Sequence, residues 1–131
     1  KNITLYKRYY KALQNGLVRS AIGLDRGGFA IALLKSAIGG QFGVEVDIQS
    51  VGTQKLSASE VLFSESNGRL LVSVSKEKQE QFERFLKGSP YVCVGRVTSD
   101  EIITLTRGKK TLAHLSLKEA TEAYRFKFKK Y

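Results

Sequence analysis

Two short segments of this 131-residue chain combine residue types suited to phosphate. The first is Asp25-Arg26-Gly27-Gly28-Phe29, with its glycine pair at a predicted strand-to-helix turn. Glycines at such a turn let a phosphate approach the free amides of a helix N-terminus. A tight turn or close packing needs the same glycines. The second is Leu62-Phe63-Ser64-Glu65-Ser66-Asn67-Gly68-Arg69, the densest polar cluster of the chain. Its two hydroxyls, amide and guanidinium can bind a phosphate or orient a polar substrate. A hydrated turn with serine hydroxyls bonded to backbone accounts for the same residues.

Other reactive residues are sparse. His114 is the single histidine and falls in a predicted strand, where a structural role is expected. Cys93 is the single cysteine and stands between Val92 and Val94, so a buried, inert thiol is expected. One cysteine excludes an internal disulfide framework and any multi-cysteine zinc site. No P-loop, dinucleotide fingerprint, HExxH or EF-hand pattern occurs. Neither catalytic residues nor metal ligands are assigned from the sequence.

The elements that must position these residues follow from periodicity. Residues 2–15 read as an amphipathic helix, with Leu5, Tyr6, Tyr9 and Leu13 on one stripe. Residues 17–22 read as a strand. Residues 29–38 are apolar nearly all round and predict a buried helix. Residues 44–48 alternate as a half-buried strand. Ser57 and Glu60 have capping-box spacing before a short helix. A strand over 69–75 and a helix over 77–87 follow, the latter with Phe82, Phe85 and Leu86 inward. Strands over 91–98 and 101–106 precede a turn at 107–110 and a hairpin strand over 111–115. Ser116 and Glu119 form a second capping box, opening a helix to about residue 124. The order is α+β, with a mixed β-sheet and packed helices.

Composition fits one ordinary globular domain: 42% hydrophobic, 26% charged, 10% aromatic. No apolar run approaches the ~18 residues of a membrane span, and no signal peptide is recognisable. The chain begins at Lys1 and has no methionine. The expectation is therefore a single domain, residues 1–131, excised from a larger chain. Net charge is +10. This is compatible with nucleic acid or phosphorylated ligands, but the basic residues are spread along the chain. The alternating basic and aromatic residues from Arg125 to Tyr131 could stack on single-stranded nucleic acid.

The ordered set of segments carries a resemblance. Residues 18–33 around Gly27-Gly28, residues 39–48 (Gly-Gly-Gln-Phe-Gly-Val-Glu-Val-Asp-Ile), the Leu62–Arg69 loop and Gly95-Arg96-Val97 occur in order. Together they resemble the C-terminal, aminoimidazole-ribonucleotide-synthetase-like domain of the phosphoribosylformylglycinamidine synthase synthetase subunit. The resemblance spans roughly residues 17–124. Many members carry His-Asp-x-Ser-Asp before the glycine pair; this chain reads Ile22, Gly23, Leu24, Asp25 and Arg26 there. The carboxylate that could assist a metal or nucleotide is replaced by Gly23.

The resemblance implies a part in an ATP-dependent carbon–nitrogen ligase of purine biosynthesis. That enzyme converts formylglycinamide ribonucleotide to formylglycinamidine ribonucleotide with glutamine-derived ammonia, using ATP and Mg²⁺. ATP and metal groups are implied for an N-terminal domain, and none is expected to be held by this domain alone. The implied partners are that N-terminal domain, a glutaminase subunit, a small subunit and the phosphorylated ribonucleotide. The implied location is cytoplasmic, with neither a membrane nor nucleic acid as partner. Gly27, Gly28, Ser64, Glu65, Ser66, Gly68 and Arg69 are the implied substrate- and phosphate-binding residues. The isolated chain is expected to be inactive. Alternatives are a selenophosphate synthetase or thiamine-monophosphate kinase type of the same superfamily, a basic nucleic-acid-binding module, and an interaction module. The last predicts an apolar patch on the first helix or an exposed sheet face.

Overall fold

In the computed structural model, residues 2–52 and 55–126 are described. The elements are α1 (Asn2–Gln14), β1 (Ser20–Gly23), α2 (Gly28–Gly40), β2 (Gly43–Asp47), α3 (Ala58–Phe63) and β3 (Leu70–Ser73). A 3₁₀ turn at Lys76–Lys78 leads into α4 (Gln79–Leu86). Then come β4 (Gly95–Thr98), β5 (Ile102–Arg107), β6 (Lys110–Ser116) and α5 (Leu117–Phe126). The order matches the periodicity reading, with the 3₁₀ turn added.

The strands form two sheets. A four-stranded mixed sheet runs β4-β2-β5-β6, with β2 parallel to β5 and the other pairs antiparallel. A separate antiparallel ribbon pairs β1 with β3, Gly23 opposite Leu70 and Ser20 opposite Ser73. The main core lies between the four-stranded sheet and helices α2, α3 and α5. Phe29, Leu33, Val44, Val46, Ile48 and Ile103 are among its buried residues. A smaller core gathers Ala12, Leu17, Phe82 and Leu86, with Val72 and Val74 packed against it. Both capping boxes are present. Ser57 Oγ accepts from the Glu60 amide at 3.2 Å, and Ser116 Oγ accepts from the Glu119 amide at 3.2 Å. Each satisfies an amide that the helix leaves without a partner.

Three expectations are corrected. The apolar face of α1 is not one stripe of Leu5, Tyr6, Tyr9 and Leu13. Leu5 packs on the smaller core, Ala12 is buried within it, and burial pushes the Tyr9 phenol pKa up. Tyr6 and Leu13 are exposed, because the packed arc around Leu5 and Ala12 is centred about 100° round the helix axis from them. The strand expected over 91–98 occupies only Gly95–Thr98. Cys93 is exposed, not buried. It lies in the approach to an edge strand, where Val94 reaches the core but Val92 and Cys93 are exposed.

His114 sits on β6 and Cys93 precedes β4, so they lie towards opposite edges of the four-stranded sheet. Three strand spacings, roughly 14 Å, separate those edges, and no nucleophilic pair forms. His114 Nδ1 is instead 3.1 Å from Thr104 Oγ1, a cross-strand contact. Of the basic aromatic tail, Arg125 and Phe126 belong to α5; residues 127–131 lie outside the described residues.

Candidate functional site

The two polar segments meet. Strand β1 delivers the chain to the glycine pair, and β3 carries it away from the serine loop. Their antiparallel pairing therefore brings the two turns to the same end of the ribbon. The pairing runs one bond past the strands, the Leu24 amide donating to the Arg69 carbonyl at 3.0 Å. Beyond it, the Gly27 amide donates to Glu65 Oε1 at 2.8 Å, across 38 residues of sequence.

The glycine pair is required by both backbone and space. Gly27 is the N-cap of α2 with φ +83°, and Gly28 has φ +60°. These are left-handed angles that side-chain-bearing residues adopt at a cost. A Cβ on Gly28 would lie 2.7 Å from the Ser64 carbonyl oxygen and 2.8 Å from that of Leu62. Gly28 is thus the point where the start of α2 rests on the end of α3. The Gly28 amide donates to the Asp25 carbonyl at 2.9 Å, closing the turn. No side chain caps α2 at Gly27.

Arg69 organises the serine loop from within. Its Nη2 donates to the Ser64 carbonyl and, at 3.0 Å, to Ser64 Oγ. Its Nε donates to the Ser66 carbonyl at 3.5 Å, a long contact. Because Ser64 Oγ accepts from the guanidinium, its own hydrogen remains to donate. Gly68, at φ +82°, turns the loop back into β3. The Glu60 carboxyl, one turn earlier in α3, is held below its ordinary range by the Ser57 hydroxyl and then the Ser57 amide.

All seven sequence-predicted site residues therefore belong to one junction. Gly27, Gly28, Ser64, Glu65 and Arg69 make its direct contacts. Ser66 is exposed on the same loop, and Gly68 sets its turn. Two features went unforeseen. The Arg69 guanidinium turns onto its own loop, and Glu65, an acceptor, joins the loops by taking an amide. The five-residue separation of Ser64 and Arg69 across a glycine turn was the signal for the first. Asp25 and Arg26 are exposed beside the junction. Among the described residues, no three His, Cys, Asp or Glu side chains gather as metal ligands.

The family described as "AIR synthase related protein, C-terminal domain" matches residues 4–108. The phosphoribosylformylglycinamidine synthase subunit PurL of Trichormus variabilis is 33% identical over 129 residues, covering 92% of this chain and 17% of its own. The PurL subunit of Thermococcus sibiricus is 35% identical over 115 residues, covering 87% and 16%. This chain thus spans about a sixth of the length of these relatives. Among solved structures, Thermotoga maritima PurL complexed with FGAR superposes with a TM-score of 0.81 at 20% identity. That match covers 91% of this chain and 20% of the other. The PurLQS structure from the same organism gives 0.79 at 19% identity, covering 88% and 21%. At these identities the structural likeness is one of fold.

Proposed function

The chain belongs to the family of AIR synthase related C-terminal domains, and from that premise we propose that it forms one wall of a phosphorylated-ribonucleotide site in a phosphoribosylformylglycinamidine synthase. The proposed substrate is formylglycinamide ribonucleotide. It becomes formylglycinamidine ribonucleotide as ATP activates the amide oxygen and glutamine-derived ammonia displaces the phosphate. A relative solved with FGAR supports the choice of substrate class. Fold alone does not assign chemistry; the observation that carries the reading is the junction itself. Two segments suited to phosphate, far apart in sequence, are joined by the Gly27–Glu65 bond and by the close packing at Gly28.

In this reading the Ser64 and Ser66 hydroxyls face the substrate phosphate as donors, beside a helix start whose Gly27 and Gly28 amides already donate to Glu65 and to the Asp25 carbonyl. Arg69 keeps Ser64 oriented and adds positive charge. Glu65 cannot donate to a phosphate when ionised; it holds the glycine turn against the loop. ATP supplies the activating phosphoryl group when bound. Among the described residues no three His, Cys, Asp or Glu side chains gather to hold the magnesium ion. ATP and Mg²⁺ are assigned to an N-terminal domain, and the further partners to the glutaminase and small subunits. The relative named PurLQS supports that assembly. The location proposed is the cytoplasm, and the chain alone is inactive.

Amide NMR tests the site. Formylglycinamide ribonucleotide should shift Gly27, Gly28 and residues 64–68, leaving β5 and β6 unmoved. Shifts confined to another surface would remove the assignment. An assay of the chain alone with ATP, Mg²⁺ and ammonia should yield no formylglycinamidine ribonucleotide; turnover would contradict the division of labour.

A further inference from the structure

Helix α1 has a second apolar face that the other described residues leave exposed. Leu5 and Ala12 turn inward to the smaller core, and Arg8 crosses to Ser89 Oγ at 2.9 Å. On the outer side Ile3, Tyr6, Tyr10 and Leu13 are 71%, 42%, 59% and 41% exposed. They recur at i, i+3, i+7 and i+10, the spacing of a two-helix seam. At 100° per residue they fall within an arc of about 80°. On one side of this line stand Lys7 and, about 40° further round, Lys11, both exposed and without an ion pair among the described residues. The helix contains no Asp or Glu.

We propose that this outer face of α1 is a docking seam for an acid-flanked amphipathic helix of another polypeptide. Three observations select that occupant. The line of apolar side chains has the period that receives knobs from a facing helix, not the alternation that receives a strand. The flanking charges are of one sign, so a partner with Glu or Asp beside its own apolar line is attracted and a basic one repelled. A second copy of this chain brings the same lysines, within a molecule of net charge +10, and like charges then face each other. An anionic membrane shares the charge preference but needs a broad apolar face to insert. The inner half of α1 is already packed, leaving only the narrow line. The inference stands apart from the phosphate junction and does not depend on it.

The test uses the 131-residue chain and two designed three-heptad helical peptides. Both carry Leu at the seam positions; one has Glu beside the seam, the other Lys. Fluorescence anisotropy should give a dissociation constant about tenfold lower for the Glu peptide. Replacing Tyr6→Ser together with Tyr10→Ser should weaken that binding about tenfold, because exposed aromatic anchors are removed. The double variant Lys7→Glu, Lys11→Glu should reverse the preference towards the Lys peptide. Circular dichroism and the thermal midpoint check that each variant is folded, and the charge variant stands as a test if the tyrosine variant is not. Equal binding of the two peptides, binding of neither, or a preference surviving charge reversal would overturn the proposal. So would a dimer in sedimentation velocity, or binding to anionic phosphatidylserine vesicles in place of peptide.

Discussion

The two cores of this domain are built differently, and the candidate site lies where they meet. The main core is wrapped by a four-stranded sheet and three helices, with Ile48 fully buried. The smaller core rests on α1, α4 and one side of a two-stranded ribbon, with Leu17 as its largest fully buried side chain. The β1–β3 ribbon belongs to the smaller core at Val72, with Val74 just beyond β3, and to the main core at Leu71. The glycine turn and the serine loop lie together at one end of that ribbon. The contrast teaches that the site is positioned by a structurally lighter half resting on a heavier one, through contacts that include Gly27–Glu65 and Gly28 on Ser64.

The strongest way to break the contrast is to damage the heavier half. A Cβ at Gly95 would overlap the Glu45 carbonyl oxygen across the β2–β4 pair. Gly95→Ala should therefore cost about 3–4 kcal/mol in denaturant unfolding, since backbone cannot step aside as a side chain can. A cost under 1 kcal/mol would show that β4 is dispensable to the main core.

Next come the paired core truncations Ile48→Ala and Leu17→Ala, each about 3 kcal/mol. Their distribution sharpens the comparison. Hydrogen exchange should accelerate throughout the sheet for Ile48→Ala. For Leu17→Ala it should accelerate in α1 and α4 while β5 stays protected. Uniform acceleration by both variants would mean a single cooperative unit.

A smaller effect is expected from Ser57→Ala. It removes the α3 cap and should cost about 1 kcal/mol, with amide shifts spreading from α3 to the Gly27 turn. A melt unchanged from that of the parent chain would remove the cap from the account.

The smallest effect is acid sensitivity. Hydrogen bonds hold several carboxyls below their ordinary range: Asp47 by the Gly108 and Gln49 amides, Asp100 by the Thr98 hydroxyl and the Ile102 amide, and Glu60 and Glu119 by their capping serines. Glu77 alone of the shifted carboxyls lies beside the smaller core, before α4. A depressed folded pKa stabilises fully above the unfolded value. That contribution is lost as pH falls through the folded value, below about pH 4. Exchange at pH 3 against pH 6 should therefore loosen β2, α3 and α5 more than α1 and α4, after correction for intrinsic rates. The reverse pattern would contradict the assignment.

Much of this was legible in the chain. The glycine pair, the two S-x-x-E boxes and the period-two run at 44–48 are local signals, and each produced its element. The serine loop and glycine turn could be named as polar clusters. Their meeting depends on β1–β3 register, which no local pattern states. The same limit explains Cys93. Flanking valines indicate an apolar strand but not whether it lies at an edge, and here the flank of β4 is open. In α1, apolar residues on two faces blurred the helical period, and only packing separates the inner line from the outer.

The most direct test of the central claim is calorimetric titration of the 131-residue chain with formylglycinamide ribonucleotide, beside the double variant Ser64→Ala, Ser66→Ala. The account predicts saturable binding by the parent chain, weakened at least about tenfold in the variant, with the thermal midpoint little changed. Equal affinity in both proteins, or no binding by the parent chain, would contradict the placement of the phosphate at this junction.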